Sequence, residues 1–152
     1  MKELLEDLIE KQDRQRESLS EILKILEEER EALKKAAPEG LPGLLVRLQE
    51  ASAQAMRADF ERSGAASALA SAMGCTPSVR EFCSRLPKEE CARLKASAGN
   101  LLEVVLAIKE CSFILNRQAA EHRFLGEILL DRLRLSGGSG VAAEGAGLDT
   151  QA

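Results

Sequence analysis

Leu5, Leu8, Gln12, Gln15, Leu19, Ile22, Leu26, Glu29 and Leu33 follow one another at alternating steps of three and four residues. That spacing places all nine on one side of an α-helix, as a coiled-coil seam. Leu4, Ile9, Leu23 and Ile25 widen the seam into the broader stripe of a bundle helix. The sequence predicts a single long helix over residues 2–36, roughly 50 Å at the α-helical rise, and such a helix must have others to lie against. Its seam turns polar at Gln12, Gln15 and Glu29, positions that set register at some expense in stability.

The material for the neighbouring helices is aliphatic. The 152 residues contain no Trp, no Tyr and four Phe, so a core must be built from Leu, Ala, Ile and Val, which suit helix-on-helix packing. Pro38, Gly40, Pro42 and Gly43 break the chain, and a second helix is expected over 43–62. Leu45, Leu48, Ser52 and Ala55 share a face of it, and its small residues permit close approach. The short connection makes helices one and two an antiparallel hairpin. Gly64 to Gly74 reads as a weaker helical segment. "TPSVREFCSRL" suggests a short helix capped by Thr76 with Pro77 at its first position. "LPKEECARL" opens another, with Glu89 and Glu90 at the positive end of its dipole.

From Leu94 to Leu133 the heptad register holds through Leu101, Val105, Ile108, Ser112, Leu115, Ala119, His122, Gly126 and Leu129. "SAGN" at 97–100 marks a possible kink, and Asn100 with Glu103 a possible new cap. One helix over 88–135 would be roughly 70 Å long, too long for a compact domain of this size. The expected fold is all-α: an elongated antiparallel, coiled-coil-like bundle of three long helices, with short helices between the second and third. Residues 1–135 form its single helical domain. Residues 136–152, with five glycines and no aromatic, read as a disordered tail.

Several function classes fall away. The net charge of −4 and pI near 5.2 lack the clustered cations and stacking aromatics that nucleic acid requires. The acidic start "MKELLEDLIE" is unlike a signal peptide, and the longest uncharged run, 63–79, is too weakly apolar to insert in a membrane; the expectation is a soluble cytoplasmic protein. Cys75, Cys83, Cys91 and Cys111 lack the close pairing of zinc ligands, and with His122 as the single histidine they read as buried small hydrophobes, without metal or disulfide. Glu121 and His122 are adjacent and point to different faces of a helix. There is no Glu-x-x-His pair and no phosphate-cradling loop. No enzyme and no cofactor is expected.

What remains is "FILNRQAAEHRFLGEILLDRLRL", residues 113–135. Leu115, Leu125, Ile128, Leu129, Leu133 and Leu135, with Phe124 beside them, form an apolar stripe at the spacing of a helix-in-groove contact. Up to about His122 the stripe suits a bundle core. Beyond it the other helices run out of length to cover it.

The order of "ILEEEREALKKAAPEGLPGLL", an alanine-rich second helix and the closing "ILNRQAAEHRFLGEILLDRLRL" resembles the FlgN family, export chaperones for the flagellar hook–filament junction proteins. The Leu115–Asn116 pair matches a family feature; the second asparagine often found three residues later is Ala119 here. The resemblance spans about residues 4–135. It implies a cytoplasmic chaperone that binds C-terminal helical segments of secreted hook–filament junction proteins and delivers them to the flagellar type III export apparatus. The implied partner-binding residues are Leu115, Asn116, Phe124, Leu125, Ile128, Leu129, Leu133 and Leu135, on a monomer or weak homodimer. The alternative is a non-enzymatic coiled-coil adaptor that self-associates through the same stripes.

Overall fold

The computed structural model describes the backbone of residues 1–135 and the side chains through residue 121, Pro38 excepted, together with Glu127 and Asp131. Four α-helices are seen among these residues: α1 (Lys2–Lys34), α2 (Leu41–Met73), α3 (Val79–Cys83) and α4 (Lys88–Leu135). Residues Met1–Ser112 form one compact unit, and Phe113 opens a second. The expected helical bundle of three long helices is present.

The α1 seam is where the spacing put it. Leu5, Leu8, Gln12, Gln15 and Leu26 are buried, and Leu19, Ile22, Glu29 and Leu33 are partly so. At its C-terminus Ala36 adopts a left-handed φ of 53°. The N–H groups of Ala36 and Ala37 then reach the carbonyls of Leu33 and Ala32 at 3.2 and 3.0 Å, the double bond of a Schellman stop. A 3-10 turn at Pro38–Gly40 reverses the chain into α2, whose early Pro42 lacks only an N–H that the first turn leaves unbonded.

α1 and α2 pack against each other along their length. They run antiparallel: Arg47 reaches back to Glu28 at 2.7 Å, Gln15 donates to Asp59 at 3.0 Å, and Leu5 and Leu8 meet Ala65, Ala66, Leu69 and Ala70. The buried face of α2 is nearly all alanine, and the absence of bulk beyond Cβ permits the close approach.

Two expectations for α2 are corrected. The helix does not weaken at Arg62 but continues through Gly64 to Met73. A mid-helix glycine costs about 1 kcal/mol, and burial of Leu69 alone returns about 2 kcal/mol. The face shared by Leu45, Leu48, Ser52 and Ala55 is also not covered throughout: Leu45 is exposed, Leu48 and Ser52 are partly covered, and Ala55 is buried. α2 stops at Gly74, whose φ of 65° lets the Cys75 N–H return to the Ala70 carbonyl at 3.0 Å.

The α3 cap also differs. Ser78, not Thr76, is the N-cap, and its hydroxyl accepts from the Glu81 N–H at 3.1 Å. Ser-Val-Arg-Glu is the capping-box pattern, and it places Pro77 outside the helix. The cysteine expectation fails for one pair: Cys83 and Cys91 are joined by a disulfide, with Cα atoms 4.9 Å apart. The turn after α3 folds the first turn of α4 back beside it, so residues eight apart in sequence meet. Cys111 is buried and Cys75 partly buried, both as free thiols.

α4 starts with Glu89 and Glu90 in its first turn and does not break at 97–100. The Ser97 hydroxyl is spent on Asp13, at 2.8 Å, and Asn100 is exposed, so neither redirects the backbone. Within the first unit α4 runs parallel to α1: Arg93 holds Glu6 through two bonds of 2.5 and 2.8 Å, Ser97 holds Asp13, and Cys111 lies near Glu27, Glu29 and Arg30.

All four helices meet in one cluster of Leu5, Leu8, Leu69, Phe82 and Leu94 with the alanines of α2. Leu69 and Leu94 are fully covered and Phe82 is 1% exposed. Leu69→Ala is expected to cost about 3 kcal/mol, as cavity-forming core truncations do, read as a lower urea midpoint. The buried Gln12 Oε1 has no hydrogen-bond partner. Gln12→Leu should therefore gain about 1 kcal/mol in the same measurement.

Candidate functional site

α4 carries every residue that the sequence singled out for partner binding. The helix is continuous through Leu135, so Phe124, Leu125, Ile128, Leu129, Leu133 and Leu135 sit at helical register on one element. Their side chains lie outside the described residues, as does that of His122. Of the two earlier positions, Leu115 is buried and Asn116 exposed. Arg117 and Glu121 form an i,i+4 ion pair at 3.3 Å, a contact that supports helix in this stretch.

The part of α4 in the first unit is built differently on its two sides. Leu94, Ser97 and Cys111 are buried, with Leu101, Val104, Val105 and Ile108 partly covered between them. Around the helix from these, Leu102 and Leu106 are more than half exposed. Phe113, which opens the second unit, is 68% exposed. None of these three was singled out from the sequence. Their signal is the second apolar row, one residue along from the heptad positions 101, 105 and 112.

The α1 side of this junction is polar. Glu29 is partly buried, its Oε1 has no hydrogen-bond partner, and burial pushes its carboxyl above the usual range. Burial likewise pushes the Cys111 thiol up, which leaves it a small hydrophobe and a poor nucleophile. At the far end of α1, the Arg93 guanidinium holds Glu6 below the usual carboxylate range. Arg62, 2.8 Å away, does the same for Asp59.

No cluster of metal-binding side chains occurs among the described residues, and no helix among them is long and apolar enough to cross a membrane. The open groove between α1 and α2 is lined by Arg14, Glu17, Glu21, Arg57 and Glu61. Mixed charges in an open groove suit water better than an apolar ligand. The chemistry on offer is that of helix surfaces.

A model of the FlgN protein family matches residues 1–122. The chain belongs to the FlgN family. No curated protein and no solved structure matches it. The match takes in the α1 seam, the α2 hairpin, the α3 insert and α4 as far as His122. A FlgN-family chain is a flagellar export chaperone in general role, and α1 to α3 together with the first part of α4 are the scaffold that carries it.

The sign of the Glu29 shift gives a pH prediction. A carboxyl whose folded pKa lies above its unfolded value burdens the folded state at higher pH, and that burden disappears as pH falls below the unfolded value. Glu29→Gln should therefore raise the urea midpoint at neutral pH, with the gain over wild type shrinking to nothing in acid. Glu6 and Asp59 have depressed pKa values and titrate the opposite way in both proteins, so they cancel in the difference.

Proposed function

We propose that this FlgN-family chain is a cytoplasmic export chaperone that captures the C-terminal helical segments of secreted hook–filament junction proteins and delivers them to the flagellar type III export apparatus. The capture surface is the last part of α4, with Asn116, Phe124, Leu125, Ile128, Leu129, Leu133 and Leu135 as its contact residues; Leu115, buried in the chain's own packing, is left out of it. The observation that carries this reading is family membership joined to the continuity of α4 through Leu135. An unbroken helix keeps leucines and isoleucine at i, i+3, i+4 and i+7 spacing beyond the residues matched to the family. This is the arrangement by which one amphipathic helix presents anchors to another.

The chemistry asked of such a site is modest. A secreted client with an apolar C-terminal helix would self-associate through it. Covering that stripe with another leucine-bearing helix keeps the client soluble, and since no covalent step is involved the complex can be undone at the export gate. Ordering a flexible client segment costs several kcal/mol of the gross contact energy, which keeps release accessible.

The test is a titration of the full chain with a helical C-terminal peptide of a hook–filament junction protein. A defined complex is expected. Leu129→Asp should weaken it at least about tenfold, the size of a central anchor loss, while helicity by circular dichroism stays near that of the wild type. Global unfolding of the variant would make Leu129 a core residue and sink the assignment of this surface. A constitutive, salt-resistant tetramer that binds no peptide would indicate the adaptor.

A further inference from the structure

Along α2, from Leu45 to Ser71, one face carries no charge. Leu45, Gln49, Ala53, Met56, Phe60, Gly64 and Ser67 succeed one another at steps of three and four, and every one is exposed. Phe60 is 79% and Met56 74% exposed, with Leu45 and Val46 above one half. The opposite face of the same helix is the alanine row buried against α1. A helix apolar on both sides is a helix that expects cover on both sides, and α2 has it on one.

We propose that this outward face of α2 is the contact between two copies of the chain, packed antiparallel about a two-fold axis between Met56 and Phe60. Three observations select a second copy. The first is charge. The outward residues of α1 include Glu10, Arg14, Glu17, Glu21 and Lys24, and the exposed apolar row of α4 at Leu102, Leu106 and Phe113 is shorter and lies beside Glu103, Lys109 and Glu110, so an uncharged helix face of this length finds its match in another α2.

The second is the rim. Arg57 and Glu61 stand between the bare face and the charged groove beside α1; among the described residues neither is in an ion pair, whereas Arg47 and Arg62 on the same helix are both paired. The antiparallel two-fold brings each Arg57 opposite the second copy's Glu61, giving two equivalent opposite-charge pairs. The same register sets Met56 against the second copy's Phe60, a favourable sulfur–aromatic contact.

The third is Gly64. A Cβ built there would meet nothing within 4 Å, so the protomer's own packing gives no reason for a residue that weakens a helix interior. In the proposed register Gly64 faces the second copy's Ala53, where two small residues let the helices approach closely. At roughly 40 Å of helix, the contact buries about 1,000 Å² in total, the lower end of specific interfaces. The dimer is therefore weak and concentration-dependent. This goes beyond the chaperone reading and uses none of the α4 residues on which that reading rests.

Sedimentation equilibrium of the full chain, from low micromolar to several hundred micromolar, tests it. The weight-average mass is expected to rise from monomer toward dimer. Phe60→Glu, at an exposed site that leaves helicity unchanged, should weaken dimerisation at least about tenfold. Arg57→Glu and Glu61→Arg should each weaken it severalfold, and the double exchange should restore it, which a merely structural role would not do. A monomer at every concentration, an unaffected Phe60→Glu variant, or a double exchange with no recovery would overturn the proposal. So would a Phe60→Glu variant that loses client-peptide binding but never had a dimer to lose, because the face would then belong to the client.

Discussion

Among the described residues, the cluster formed by Leu5, Leu8, Leu69, Phe82 and Leu94 is where all four helices touch, and the rest of the bundle depends on it. Phe82 comes from a helix of five residues, far too short to persist alone. Its capping box, the Cys83–Cys91 disulfide and the Arg85 donation to the Met73 carbonyl at 2.8 Å hold that ring in the core. With Phe82 seated, the turn after it delivers α4 beside the start of α1, and the parallel course of α4 along α1 follows. Away from this end the helices are joined by other means: alanine contacts between α1 and α2, and discrete polar pairs between α1 and α4.

A core without Trp or Tyr fills space with short aliphatic side chains. Between α1 and α4 the Arg93–Glu6 and Ser97–Asp13 hydrogen bonds add to the Leu94 contact. Exposed ion pairs contribute little stability, and Gln12, Gln15 and Glu29 each leave a buried oxygen without a partner. The α1 seam thus fixes register more than it stabilises. A bundle built this way holds its helices in order while leaving Leu102 and Leu106 of α4 more than half exposed.

Residue spacing alone revealed much of this arrangement, and the failures share a cause. The α1 seam, the Pro38–Gly43 break, the antiparallel hairpin and the family were all legible, because each depends on local periodicity or chain order. The continuity of α2 was not. Gly64 and the Ala-Ser run that follows look weak in isolation, and only contact with Leu5 and Leu8 makes Ala65, Ala66 and Leu69 a helix face. The Cys83–Cys91 pairing was hidden for the same reason, since it depends on the fold of the turn between them. The outward face of α2 escaped notice because Leu45 was read together with Leu48, Ser52 and Ala55, and Met56 and Phe60 were not singled out. In a helix apolar all round, spacing does not say which side faces in. The stripe of 124–135 was legible as a pattern, and its helical backbone agrees with that pattern; the contacts of its side chains fall outside the described residues.

The grooves seen among the described residues are open and charged, and the proposed contacts lie on helix faces. Two such faces have been argued, and they differ in what a partner must supply. The proposed α4 surface is a row of branched leucines and one isoleucine, the kind of surface that suits a client whose own helix forms on contact. The α2 face is flatter, with one phenylalanine, one methionine and several small residues at fixed intervals, and it rewards a rigid partner with complementary spacing. Rigid self-complementarity over about 1,000 Å² yields weak association because immobilising two protomers costs several kcal/mol before any contact gains. Weakness is useful to a carrier: an uncharged apolar face left open invites nonspecific contacts, and a second copy covers it at high concentration without committing α4. On the two proposed readings, client capture and self-association would be occupied independently, one set by the client's apolar helix and the other by the concentration of the carrier itself.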